Sequence, residues 1–148
     1  LGGESRLVQV TPDYLKVAVT PVSTLEIKIL QSGKSPVVMT LYTTGDSSMA
    51  RDTEIRFFDS GLRPLDSSKF LKSPGLPDFF NLKGSGISAE DLKEKLPYAA
   101  VEYTTGPGDV PLIAMLSTLK VIAQEDRDML SPLLIPALSA SWKGSYKF

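Results

Sequence analysis

A mostly β domain, an antiparallel meander sheet with two short helices, is the fold class the sequence predicts, with α+β as the alternative. Three observations predict it. Apolar and polar residues alternate through the first half of the chain. The breaks between these runs carry Pro, Gly or Ser at spacings short enough for antiparallel neighbours. The two helical patterns are brief, and each is soon stopped by a proline.

The elements follow in order. In Tyr14–Val19, Leu15, Val17 and Val19 alternate with Lys16 and Ala18; in Leu25–Ile29, Leu25, Ile27 and Ile29 alternate with Glu26 and Lys28. Each pattern predicts a half-buried strand with its apolar set turned to the core. Val37–Tyr42 is apolar on both faces and is expected in the middle of the sheet. Thr53–Phe58 returns as a strand, Asp59-Ser60-Gly61 turns, and Pro64 places Leu62–Leu65 at an edge. From Ser67 to Gly86, recurring Pro and Gly around Phe70, Phe79 and Phe80 predict an irregular connection pinned by aromatic anchors.

Ser88 is the expected N-cap of a short helix with Glu90 and Asp91 in its first turn, stopped by Pro97. Ala99–Thr105 reads as a strand, and Gly106-Pro107-Gly108-Asp109 as a turn. Leu112–Ala123 fits helical spacing in part, but its second half, Thr118–Ile122, is expected to be strand. Gln124–Leu130 is the second helix, ended near Pro132. Ala137–Phe148 is expected to close the fold as a strand that buries Trp142, with Ser141 and Lys143 on the opposite face.

Length and composition bound the function. The chain of 148 residues fits one domain, 1–148, and 42% hydrophobic with 22% charged residues is a globular composition. Sixteen basic against 17 acidic residues leave a net charge of -1, so no nucleic-acid partner is expected. There is no His and no Cys. Ser-His-Asp and Cys-His nucleophile systems, the usual zinc sites, haem and iron–sulfur ligation by those residues, and disulfides are thereby excluded. No cofactor and no metal are expected. The longest apolar runs, such as Leu112–Leu116, are about five residues against the ~20 a spanning helix needs, so no transmembrane segment is expected.

A set of short segments, running in order along nearly the whole chain, carries a resemblance. They are Leu1-Gly2-Gly3-Glu4-Ser5-Arg6-Leu7, Thr11-Pro12-Asp13-Tyr14-Leu15, Asp52–Asp59 with Leu62-Arg63-Pro64-Leu65, Pro77-Asp78-Phe79, Glu125-Asp126-Arg127 and Trp142–Phe148. In these the sequence resembles an uncharacterised domain-of-unknown-function family of secreted Bacteroidetes proteins. The resemblance implies an extracytoplasmic location, periplasm or cell surface, and a mature fragment trimmed ahead of its Leu-Gly-Gly start. It implies no activity, cofactor or catalytic residue.

The chemical candidates are carboxylates. Asp46, Asp52, Glu54 and Asp59 cluster around one expected hairpin. Joined by Asp109, they are candidate ligand-binding residues, able to form a glycosidase pair or an oxygen-ligand cation site only if they converge in space. The alternating acids of a calcium loop are missing, and Gly106-Pro107-Gly108-Asp109 has neither the dinucleotide glycine spacing nor a Gly-Lys-Thr ending. Ser68-Lys69 and Ser35 with Lys34 are the available Ser-Lys pairs, without supporting context. Tyr-Thr-Thr-Gly occurs twice, at Tyr42–Gly45 and Tyr103–Gly106. Coincidence is the favoured explanation; a true duplication would put both turns at one end of the sheet, with Asp46 facing Asp109. The functional expectation is an exported, non-catalytic binding or assembly module whose partner is a protein or a glycan. The alternatives are a carboxylate-based glycan hydrolase at the cell envelope and a secreted protein inhibitor.

Overall fold

The computed structural model describes residues 4–33, 35–46 and 48–148; the Leu1-Gly2-Gly3 start and Lys34 of the Ser35 pair lie outside them. Six strands follow one another as a meander: β1 (Arg6–Thr11), β2 (Tyr14–Thr20), β3 (Ser23–Ser32), β4 (Ser35–Thr44), β5 (Asp52–Phe58) and β6 (Pro64–Leu65). They form one antiparallel sheet in the order β1-β2-β3-β4-β5-β6. After β7 (Leu71–Lys72) and α1 (Ala89–Lys95) come β8 (Val101–Thr104) and β9 (Leu112–Leu116). Then follow α2 (Gln124–Leu130), β10 (Leu138–Ala140) and β11 (Tyr146–Lys147). β10, β9 and β8 make a second, three-stranded sheet, while β11 runs parallel to β7. The architecture is mostly β, with 42% strand and 20% helix.

The core lies between the two sheets. Leu30, Val37, Met39, Leu41 and Phe57 project from the inner face of the large sheet and meet Phe79, Leu92, Leu112, Leu130 and Tyr146. Along β8 the layers are stitched by polar groups. Thr43 and Thr53 share a 2.7 Å hydrogen bond, and Thr53 Oγ1 accepts from the Tyr103 N–H at 2.9 Å. α1 begins as expected: Ser88 Oγ accepts from the Asp91 N–H, and the Asp91 carboxylate accepts from the Ser88 N–H.

The period-two alternation of β2 and β3 is present, but in both strands the faces are the reverse of those expected, with Tyr14 rather than Leu15 and Val17 turned inward on β2. Glu26 and Lys28 are inside, each 2% exposed, while Leu25 and Ile27 face outward and Ile29 is exposed. Register continues this outer face to Leu7 and Val10 on β1, Leu15 and Val17 on β2, and Val38, Tyr42 and Phe58 on β4 and β5. None of these residues belongs to the core cluster. Burying the two charges is tolerated because each finds partners; an unpaired charge there would be prohibitive.

Three further expectations are corrected. In the Leu112–Ala123 stretch the first half is the strand, and Thr118–Val121 is a 3-10 turn. Ser117 donates its N–H to Ala100 O, and Thr118 Oγ1 both accepts from the Ala100 N–H and donates to Tyr98 O. The chain is thus bent back onto the start of β8. The closing segment is two short strands, β10 and β11, rather than one, and Trp142 sits half-buried in the turn between them. Its Nε1–H is tied to Gln31 O at 2.6 Å. β1, an edge strand exposed along most of its length, is an element the sequence reading did not place, although Val8 and Val10 alternate with Gln9 and Thr11 there.

Candidate functional site

A cleft of about 420 Å³ opens where the β1–β2 turn, the later half of β3, the loop between β8 and β9, and the turn before β11 meet. Asp13, Lys28, Gln31, Gly108, Asp109 and Trp142 are among its lining residues. Each arrives there for a local reason. Asp13 occupies the two-residue turn that joins β1 to β2. Lys28 is set opposite Tyr14 and Met39 by the register of β3. Gly108 takes φ +60°, which lets the loop turn its N–H toward Asp13. Trp142 is held by its bond to Gln31 and by its ring neighbours, Tyr146 at 5.0 Å and Phe70 at 6.3 Å between centroids.

The floor of the site is a buried polar network. Lys28 Nζ donates to Gly108 O at 2.8 Å and to Val110 O at 3.1 Å, so at most one of its three protons is left for a ligand. Burial pulls the Lys28 ammonium below its ordinary pKa, against the opposing pull of Asp13, Asp109 and Glu26. Beside it, Glu26 Oε1 accepts from the Tyr14 hydroxyl at 2.5 Å, the Thr105 N–H at 3.2 Å and Thr104 Oγ1 at 3.3 Å. Burial, then the Glu26 carboxylate, raises the Tyr14 phenol well above its ordinary value. At the rim, Asp13 accepts from the Gly108 N–H at 2.9 Å and the Thr11 hydroxyl at 3.0 Å. Those bonds, the Gly108 one first, hold its carboxyl below the usual carboxylate range.

The acids singled out from the sequence do not converge: Glu54 is exposed on β5 and paired with Arg56 at 2.7 Å, and the other four lie apart. Asp109 lines the cleft. Asp46 organises the β4–β5 loop, accepting from the N–H and hydroxyl of Ser48 at 2.8 and 2.6 Å. Asp52, at the start of β5, accepts from the Val101 N–H at 3.2 Å. Asp59, just past the far end of β5, accepts from the N–H groups of Gly61 and Arg63, both at 2.9 Å. With ~3.3 Å per residue, β5 alone separates Asp52 from Asp59 by about 20 Å. The Ser68 hydroxyl is spent on Asp66 at 2.7 Å. The two Tyr-Thr-Thr-Gly turns are also apart. Gly45 N–H bonds Val22 O at the β2–β3 turn, whereas the Gly106–Asp109 turn reaches Asp13 at the β1–β2 turn, the opposite end of β2. Asp46 and Asp109 therefore share no groove, and the repeated tetrapeptide is no duplicated half-domain.

Sequence reasoning missed Asp13, Glu26 and Lys28 as site residues. Pro12-Asp13 between two apolar runs is a turn signal and nothing more, and strand alternation is silent about which face meets the core.

These features define a class: a one-sided antiparallel sheet domain, covered on its inner face by a smaller sheet and two helices, with a cleft of mixed polar and apolar lining beside the covered region. Within that class, the chain belongs to the family described as "Protein of unknown function (DUF3256)", whose model matches residues 1–148. No curated protein matches it. Among solved structures it is similar to "Structure of a domain of an uncharacterized protein from Porphyromonas gingivalis W83", with a TM-score of 0.79 and 17% identity. That match covers 99% of this chain and 81% of the other. At this identity the likeness is one of fold.

Proposed function

We propose that this chain is a non-catalytic binding module working outside the cytoplasm, and that its cleft takes a glycan. One observation carries the reading: the only tryptophan of the chain lies in the same cleft as two carboxylates, Asp13 and Asp109, and the Gln31 segment. An indole held by its neighbours offers a flat apolar surface to the C–H face of a sugar ring, while carboxylates accept from its hydroxyl groups. The non-catalytic part rests on chemistry and geometry: the chain has no His and no Cys, and one of the two cleft carboxylates, Asp13, already accepts from the Gly108 N–H and the Thr11 hydroxyl. The location rests on the resemblance to exported proteins.

The single indole makes the test direct. Oligosaccharides from envelope and host glycans are titrated while Trp142 emission is followed, and a glycan array is probed with the chain and with Trp142→Ala. Saturable change in emission, lost on the array in the variant, is the expected result. No response to any glycan would overturn the ligand class. Release of new reducing ends would overturn the non-catalytic reading and favour the hydrolase, for which the two cleft carboxylates are the specific support.

A further inference from the structure

Beside the cleft lies a second hollow of about 370 Å³, lined by Ser139, Ala140, Ser141, Lys143, Ser145 and Lys147. Two short strands build it. Around β10, Ala140 is buried while Ser139 and Ser141 on either side of it are exposed; around β11, buried Tyr146 stands between Ser145 and exposed Lys147. The period of two thus turns the hydroxyls and the ammonium outward while Ala140 and Tyr146 enter the core. Gly144, at φ +82°, makes the turn between the strands that brings Lys143 to the same hollow.

Two observations give the hollow its sign. Its charged lining is two lysines, with no acid among them. β11 also pairs in parallel with β7 so that Lys147 lies beside Lys72, both exposed. Like charges side by side on neighbouring strands repel, and among the described residues none of Lys72, Lys143 and Lys147 forms an ion pair. The positive charge there is uncompensated within the chain.

We infer that this hollow takes the anionic substituent, a carboxylate or a sulfate, of a glycan whose neutral rings occupy the Trp142 cleft; the inference rests on the glycan reading of that cleft. The two cavities meet at Ser141, which lines both, and Trp142 and Lys143 follow it directly in the chain. Charge divides the joint site: Asp13 and Asp109 belong to the Trp142 end, Lys143 and Lys147 to the other. A polyanion would set its charges against the two carboxylates, so the arrangement favours a ligand rich in hydroxyls at one end and singly anionic at the other. Lysine ammonium and serine hydroxyl groups both donate to such an anion in charge-assisted hydrogen bonds.

The test measures binding of the full chain to matched oligosaccharides: neutral parents, and the same parents carrying one sulfate or one uronic acid. The acidic members are expected to bind about tenfold tighter than their parents at low salt, an advantage that shrinks as salt is raised. Lys143→Gln combined with Lys147→Gln is expected to abolish the advantage, with circular dichroism checking the fold; the salt dependence of the wild-type advantage is a second measurement that needs no variant. The sulfate and uronate arms show which anion is preferred. Neutral parents bound as tightly as their acidic derivatives overturn the inference and leave the glycan reading standing, as does an acid preference that survives in the folded double variant or does not respond to salt. Inorganic sulfate bound as tightly as the sulfated oligosaccharide overturns the link between hollow and cleft. If no oligosaccharide binds, the cleft reading fails and this inference with it.

Discussion

Glu26→Ala is the substitution that most directly tests whether the inward-facing charges are held as described. The wild-type carboxylate is 2% exposed and accepts from three donors. Truncation removes the acceptor and leaves the Tyr14 hydroxyl and the Thr105 N–H in surroundings too buried for water to replace it freely. A hydrogen bond to a charged group contributes ~1.5–3 kcal/mol, and an orphaned buried donor costs ~1–3 kcal/mol. The Tyr14 bond at 2.5 Å belongs at the upper end of that range, and the two longer bonds at the lower. Lys28 also loses a nearby negative charge. The expected loss is about 4 kcal/mol, in line with the ~3–5 kcal/mol for breaking one side of a buried charged pair. That is a large part of the ~5–15 kcal/mol a domain has. Urea unfolding followed by circular dichroism gives the value. Tyr14→Phe, alone and combined with Glu26→Ala, closes a double-mutant cycle with an expected coupling of ~1.5–3 kcal/mol. A loss under about 1 kcal/mol for Glu26→Ala, or zero coupling, would refute the buried network and with it the assignment of faces on β3.

Alkaline pH should unfold the chain for a stated reason. Burial raises the Tyr146 phenol from 10.0 to about 12, and Tyr14 and Tyr103 are raised as well. Groups whose folded pKa is raised stabilise fully below the unfolded value and lose that contribution as pH climbs through the folded one. Lys28, lowered by burial, acts in the opposite sense, but three phenols outweigh one ammonium. Stability therefore falls from about pH 10, and denaturant midpoints measured across that range that do not fall would contradict it. Gly45→Ala is expected to cost at least ~2 kcal/mol: φ is +117° and the added Cβ would stand 2.8 Å from Ala50 O, which is backbone and cannot swing aside. A melting temperature within a degree or so of wild type would show that the loop relaxes. Calcium and chelator should each leave the melting temperature unchanged, since no group of three or more acids converges among the described residues. A clear rise with calcium would restore the β4–β5 loop, with Asp46 and Asp52, as a candidate ligand site.

What the sequence determined by itself is local. Alternation over Tyr14–Val19 and Leu25–Ile29 specified strands, short breaks specified antiparallel neighbours, and Ser88 with Asp91 specified a helix start, because each signal depends on residues within a few positions of one another. Pro64 marked the edge strand β6 for the same reason. Only the tertiary structure decided which face of β3 turns inward. A period of two says that Leu25, Ile27 and Ile29 share a side, but the choice of side depends on whether Glu26 and Lys28 can be satisfied in the interior. Their partners, Thr104, Thr105, Gly108 and Val110, lie some eighty residues further along the chain. The cleft is non-local in the same way, since Asp13 meets Gly108 and Trp142 meets Gln31 across most of the chain's length. The strand in Leu112–Leu116 and the turn at Thr118 were decided by bonds to Tyr98 and Ala100 on β8's approach, against the propensity of the segment. Local propensity is worth tenths of a kcal/mol per residue, whereas satisfying or orphaning a buried polar group is worth one to several, about tenfold more. Where the two conflict, the long-range partner prevails, and no short window of sequence contains it.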